Sequence, residues 1–178
     1  MSTTLEQAPL EQEAQPVLYV MTGHIYSAPL DFPIEFAREF DVTHVPKATG
    51  VTEVLAEHLT EDEDVIYDQY LLTPHSRESF VNLARNCGAL IVALNMHAPK
   101  SDMIDRLREH RARDLEQGAS PTKIRRYSFK FKKSQEIFKR PILIEGIDHI
   151  VELDSSGDDI EPMLDEVEAK LVELELID

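Results

Sequence analysis

The chain alternates short, wholly apolar runs with longer stretches in which apolar positions recur every three or four residues. Val17-Leu18-Tyr19-Val20-Met21 is apolar without a break, the pattern of a strand buried on both faces. Ile34, Phe36, Ala37 and Phe40 then recur with Glu35, Arg38 and Glu39 between them, which predicts a helix. Val42-Thr43-His44-Val45 reads as a second strand, and 51–59 as an amphipathic helix entered from Thr49-Gly50. Val65-Ile66-Tyr67 is a third strand, followed by a helix over about 74–86 with Phe80, Leu83 and Ala84 on one face. Ala89-Leu90-Ile91-Val92-Ala93-Leu94 is the strongest strand signal. After it Ser101 is placed to cap a helix whose apolar side carries Met103, Ile104 and Leu107. Gly118-Ala119-Ser120-Pro121 interrupts the pattern, and a basic helix follows from Pro121 to about Lys139. Ile150-Val151-Glu152-Leu153 closes the strand set, and 160–176 reads as an acidic terminal helix. Strands alternating with helices predict an α/β fold, a mainly parallel sheet with helices on both faces.

Residues 1–15 are polar and acidic with no apolar period, and read as a disordered tail ahead of a single domain over 16–178. A core of that size needs no disulfide or metal staple. The one cysteine, Cys87, permits no internal disulfide, which points to a reducing, cytoplasmic setting. It reads as a small buried residue at a helix end, since no activating partner adjoins it. No apolar run approaches the length of about 20 residues that spans a bilayer, and the N-terminus does not resemble a signal peptide, so no membrane is expected.

The formal net charge of −16 argues against nonspecific binding to nucleic acid. That charge is uneven: from Lys100 to Arg140 there are 13 basic and 6 acidic side chains, against 5 and 28 elsewhere. One basic island therefore sits in an acidic chain, as an anion site, a partner surface or a solvated helical face.

Between the first strand and first helix lies Gly23-His24-Ile25-Tyr26-Ser27-Ala28-Pro29-Leu30. The position is that of a phosphate loop of pattern G-x-x-x-x-G-K-[ST], which cradles phosphates on backbone N–H groups, neutralises them with a lysine and holds Mg²⁺ by a hydroxyl. Here Ala28 stands for the second glycine, Pro29 for the lysine and Leu30 for the hydroxyl residue. Proline removes an N–H and brings no charge, and leucine cannot ligate a hard cation. Asp31 next to them occupies the favourable end of the helix dipole and repels an incoming anion, or serves as an ordinary first-turn carboxylate beside a first-turn proline.

With these pieces in order the chain resembles the thymidylate kinase-like branch of the P-loop nucleoside and nucleotide kinases. The resemblance is carried by Asp64-Val65-Ile66-Tyr67-Asp68-Gln69-Tyr70, similar to a strand ending in Asp-Arg-Tyr. It continues in Ala89 to Leu94 with Ala98-Pro99 and Arg106-Leu107-Arg108, in Arg111-Ala112-Arg113-Asp114-Leu115-Glu116, and in Leu153-Asp154-Ser155-Ser156-Gly157-Asp158-Asp159-Ile160. It implies a five-stranded parallel sheet, a phosphate site at the first strand–helix junction, an acceptor site near Asp68 and an arginine-rich lid. Gln69 departs from the pattern: it stands where the family's arginine is expected, and can hydrogen-bond but brings no charge. Each charge-assisted hydrogen bond to phosphate contributes about 1.5–3 kcal/mol, so these losses together slow transfer by several powers of ten.

The candidate residues follow from this. Gly23, His24, Ser27, Ala28, Pro29 and Leu30 form the phosphate-loop remnant. Asp68 is the catalytic candidate, able to hold a metal or accept a hydroxyl proton, or else to cap the next helix. Tyr67 and Tyr70 are placed to wall a base pocket. Gln69, Arg106, Arg108, Arg111, Arg113 and Lys123 are the substrate and phosphate candidates, because guanidinium forks match phosphate oxygens in pairs. Ion pairs with Asp102, Asp105 and Glu109 on the same helix are the competing account of the arginines. Phe129 and Phe131 interleave with Lys130, Lys132 and Lys133, in an order that suits helix packing better than base stacking. The seven histidines form no zinc pattern, so no metal site is expected.

The leading expectation is a kinase-fold protein without ordinary ATP-dependent transfer, kept as a module that binds a deoxynucleotide or pairs with itself or another protein. An active deoxynucleoside or deoxynucleotide kinase, acting on free nucleotides or on a modified base in DNA, is the rival. It would use Lys123 or Arg111 in place of the loop lysine, and ATP with Mg²⁺ is then its cofactor. An acidic inhibitor or assembly factor is the third.

Overall fold

A computed structural model describes residues 14–178. Twelve elements follow in order: β1 (Val17–Thr22), α1 (Phe32–Glu39), β2 (Thr43–Pro46), α2 (Val51–Thr60), β3 (Val65–Tyr70), α3 (Pro74–Asn86), β4 (Leu90–His97), α4 (Lys100–Glu116), α5 (Pro121–Ile137), η1 (Leu143–Glu145), β5 (His149–Asp154) and α6 (Glu161–Glu173). The strands form one sheet in the order β2-β3-β1-β4-β5, and every neighbouring pair is parallel. The α/β architecture expected from the sequence is therefore the one observed. Chain leaving β1 runs toward β2 while chain leaving β4 runs toward β5, so a crevice opens at the carboxyl ends of the central strands.

β1 is apolar throughout because it feeds two cores. Val17, Tyr19 and Met21 pack with α1 and α6 on one face. Leu18 and Val20 pack with α2 and α3 on the other. In α1 the buried stripe is Phe32, Phe36 and Ala37, and Phe36 meets Tyr19 edge-on at 5.0 Å between ring centroids. Ile34, expected on that stripe, is 51% exposed, since a residue two positions from Phe36 points to the far side of a helix. Ser101, expected as a cap, lies inside α4: the chain is already extended at Pro99, which takes the cap position, and the helix starts at Lys100. α3 has a reciprocal cap between Thr73 and Ser76, with Pro74 in its first turn. The expected tail over 1–15 lies outside the described residues except for Ala14 and Gln15, and the Gln15 side chain donates to Gly88 O at 3.1 Å.

Two features position the site. Register between β1 and β3 jumps from Val20 opposite Tyr67 to Met21 opposite Tyr70, leaving Asp68 and Gln69 without partners on β1. Such a bulge bends a strand end and re-aims its side chains. The second is Arg77, fully buried in α3. It takes Glu145 through two nitrogens, at 2.7 and 2.9 Å, and reaches Leu71 O at 3.1 Å and Lys139 O at 2.9 Å. These bonds fasten the strap between α5 and β5 alongside α3. Where the strap passes the far end of α3, glycine is favoured: Gly146 has φ +95°, and a Cβ there would stand 2.9 Å from Val81 Cγ1.

Candidate functional site

The loop after β1 keeps a tight, compact course. Gly23 has φ +129°, and a Cβ there would lie 2.5 Å from Ser27 Oγ and 2.8 Å from Met96 O, so no side chain can replace it. Tyr26 adopts a left-handed φ of 69°, and Ser27 N closes a turn on His24 O at 2.9 Å.

Several polar groups of the loop are engaged by the surrounding protein. Ala28 N donates to the Tyr70 hydroxyl at 2.9 Å, and Ile25 N to Ser134 Oγ at 3.3 Å. Burial pushes the Tyr70 hydroxyl up to about 12, so it stays neutral and accepts that amide hydrogen. Ser155 Oγ donates to Ser27 O and to His97 O. His24 Nδ1 lies 3.2 Å from Ser134 O, and its ring meets Phe138 at 4.8 Å. Arg106, 1% exposed, donates to Tyr26 O at 3.2 Å and to Ser155 O and Gly157 O at 2.5 Å each. Its guanidinium thus ties the loop to the chain after β5.

Beside the loop opens a cleft of about 670 Å³, bounded by the ends of β2 and β3 and by α4 and α5. Pro29, Tyr70 and Tyr127 contribute apolar and aromatic wall, and Lys47, Arg113 and Lys130 contribute positive charge. This mixture, mostly apolar with a few charged groups, is typical of small-molecule sites. Asp68 lines the cleft and takes His44 Nε2 at 2.9 Å across the β2–β3 pair. Gln69 also lines it, accepting from the Tyr67 hydroxyl at 2.7 Å.

The α4–α5 wall is a linked polar cluster. Burial, followed by Tyr127, Tyr70 and Asp114, raises the pKa of Tyr26, with Arg111 opposing. Burial lowers that of His110. The Tyr26 hydroxyl and His110 Nδ1 lie 2.9 Å apart, within hydrogen-bond distance. His110 stacks on Tyr127 at 4.3 Å between ring centroids and 11° between planes. Lys123 pairs with Asp114 at 2.8 Å, and Tyr127 donates to the same carboxylate.

The basic candidates therefore have different surroundings. Arg106 is buried under the loop, and Arg108 pairs with Asp105 at 2.9 Å on the outer surface. Arg111 is half-buried without an ion pair among the described residues. Arg113 faces the cleft, held by Asp31 at 3.0 Å and Glu109 at 2.5 Å, contacts that raise its pKa. Lys47 and His44 carried no motif signal; both follow from the sheet order, which sets the end of β2 beside Asp68.

A second polar cluster lies at the ends of β4 and β5. Buried Asn95 accepts from Thr22 Oγ1 at 2.9 Å and donates to Glu152 at 2.8 Å; His97 and Arg140 contact the same carboxylate. Burial pushes Glu152 up, but hydrogen bonds from His97, Asn95 and Arg140 outweigh that and hold it below the usual carboxylate range. Among the described residues no group of three or more His, Cys, Asp or Glu side chains is placed to hold a metal ion.

The family model described as AAA domain matches residues 37–131, a span that starts inside α1 and leaves out β1 and the loop. A protein assigned as a kinase from Chloroflexus aurantiacus superposes with a TM-score of 0.63 at 13% identity, over 90% of this chain and 98% of its own. A gluconokinase from Sinorhizobium meliloti 1021 gives 0.57 at 14%, over 90% and 93%. A sugar kinase from Janibacter sp. HTCC2649 gives 0.50 at 12%, over 91% and 95%. At these identities the likeness is one of fold. No curated protein matches the sequence.

Proposed function

The chain belongs to the AAA domain family, and from that premise we propose that it is a nucleotide kinase-like protein that has lost ATP-dependent phosphoryl transfer and persists as a nucleotide-binding or protein-interaction module. One observation carries the reading: Ala28 N donates to the Tyr70 hydroxyl, inside a loop that has proline and leucine at the lysine and hydroxyl positions. A phosphate seated there would have to displace a buried tyrosine and would meet neither a cation nor a Mg²⁺ ligand from the loop. The arginine with the deepest position near the loop, Arg106, already serves three carbonyls.

What is retained is the cleft on the acceptor side, where Asp68, Gln69 and Tyr70 stand at a bulged strand end. Its size and its aromatic and cationic lining suit a deoxynucleoside monophosphate of the thymidylate kind. The test is binding and turnover with purified protein, Mg-ATP and a panel of deoxynucleoside monophosphates. Binding of a monophosphate without phosphate transfer is expected, and sustained turnover would refute the proposal.

Arg111 supports the rival reading of an active deoxynucleotide kinase, because it is half-buried near Tyr26 with no ion-pair partner among the described residues. In that case ATP and Mg²⁺ are bound, and Arg111→Ala or Lys123→Ala abolishes transfer while Pro29→Ala leaves it intact. Absence of any transfer in the unmodified protein removes this reading.

A further inference from the structure

Asp31 occupies the N-cap position of α1, where a carboxylate ordinarily accepts amide hydrogens of the first turn, yet its side chain makes no capping bond. Its two oxygens instead receive both terminal nitrogens of Arg113, at 3.0 and 3.1 Å. Both residues line the cleft, and both side chains remain in contact with water, 49% exposed for Asp31 and 43% for Arg113. The fork-to-fork geometry is the one by which a guanidinium takes a phosphate. Exposed ion pairs are also among the weakest ionic contacts, so a better anion can replace the carboxylate. Lys47 and Lys130 line the same cleft and have no ion-pair partner among the described residues. The other cleft carboxylates are engaged elsewhere, Asp68 by His44 and Asp114 by Lys123.

We propose that Arg113, Lys47 and Lys130 form an anion site for a phosphate monoester carried on a flat ring, and that Asp31 is the internal carboxylate this phosphate displaces. The inference rests on the reading of the cleft as a nucleotide site, and adds which groups take the phosphate and what competes with it. The ring lies against Tyr70, Tyr127 and Pro29, and the phosphate is met by side chains rather than by the loop backbone, whose Ala28 amide is already engaged. Glu109, 2.5 Å from Arg113 and one turn away on α4, keeps the guanidinium oriented after Asp31 leaves. Asp31 thereby sets a threshold, since weak anions do not outcompete a tethered carboxylate.

Titration calorimetry with thymidine 5′-monophosphate, inorganic pyrophosphate and thymidine tests this on the full chain and on Asp31→Asn, Arg113→Ala and Lys130→Ala. Asp31→Asn is expected to bind the two phosphate-bearing probes about 1.5- to fivefold more tightly. Arg113→Ala and Lys130→Ala bind them more weakly, and thymidine is indifferent to all three changes. Unchanged or weaker anion binding by Asp31→Asn overturns the inference. If pyrophosphate responds as expected but the monophosphate binds no better than pyrophosphate, the anion site stands and the nucleotide reading fails. If thymidine binds while neither anion responds to any substitution, the nucleotide reading survives and the role of Asp31 fails. No binding of any probe to any of the four proteins overturns both. Lys130 is exposed, so its variant keeps the native denaturation midpoint and provides an arm free of folding effects.

Discussion

The Tyr70 hydroxyl accepts the Ala28 amide hydrogen at 2.9 Å, setting the end of β3 against the loop that follows β1. That contact depends on the bulge at Asp68 and Gln69, which brings Tyr70 opposite Met21. The strand register thus places a phenol against the backbone of that loop.

Tyr70→Phe keeps the ring and deletes the acceptor. A buried amide left without a partner costs about 1–3 kcal/mol, so the urea midpoint falls accordingly. A variant as stable as the parent would mean that the hydroxyl does not hold the loop.

Placing Gly, Lys and Thr at positions 28, 29 and 30 is expected to give no ATP hydrolysis by itself. Adding Tyr70→Phe to those three changes frees the Ala28-position amide, and nucleotide triphosphate binding then becomes measurable by fluorescence titration. Hydrolysis by the triple variant alone would show that the tyrosine is no obstacle.

Arg77→Met should destabilise the fold by about 3–5 kcal/mol, because it leaves Glu145 without its buried partner and releases two carbonyls. Arg108→Ala, by contrast, removes an exposed pair within one helix and should stay within about 0.5 kcal/mol of the parent. Equilibrium denaturation of the two variants side by side checks the ranking.

The Glu152 carboxyl is held below its usual value of 4.5 by His97, Asn95 and Arg140, although burial acts the other way. A carboxyl depressed in the folded state contributes stability that is complete above its unfolded pKa. That contribution disappears as the pH falls through the folded value. Stability measured from pH 6 downward should therefore decline more steeply below about 4.5 in the parent than in Glu152→Gln. Parallel curves for the two would rule out this contribution.

The apolar runs were readable as strands because both sides of a central parallel strand are covered, and β1 divides its side chains between two cores. The helices were readable from their periods, although Ile34 misled by lying next to a buried stripe without joining it. The cleft was less legible. Arg77 sits in a helix with a polar sequence and looks like a surface residue; only the strap after α5 makes it a core group. Asp31 and Arg113 are 82 positions apart, and no local pattern links them. Asp68 and Gln69 stood out by motif, but the bulge that aims them depends on how β3 pairs with β1.

The guanidinium of Arg77 reaches Leu71 O just beyond the cleft floor, and Lys139 O on the chain that later enters the edge strand β5. Lys139 N also donates to Leu72 O at 2.8 Å, so the two segments are laced together twice. Whatever shifts Tyr70 therefore pulls on a tether that ends at the opposite border of the sheet. Hydrogen exchange at β5 should report events in the cleft from across the molecule, carried along that strap.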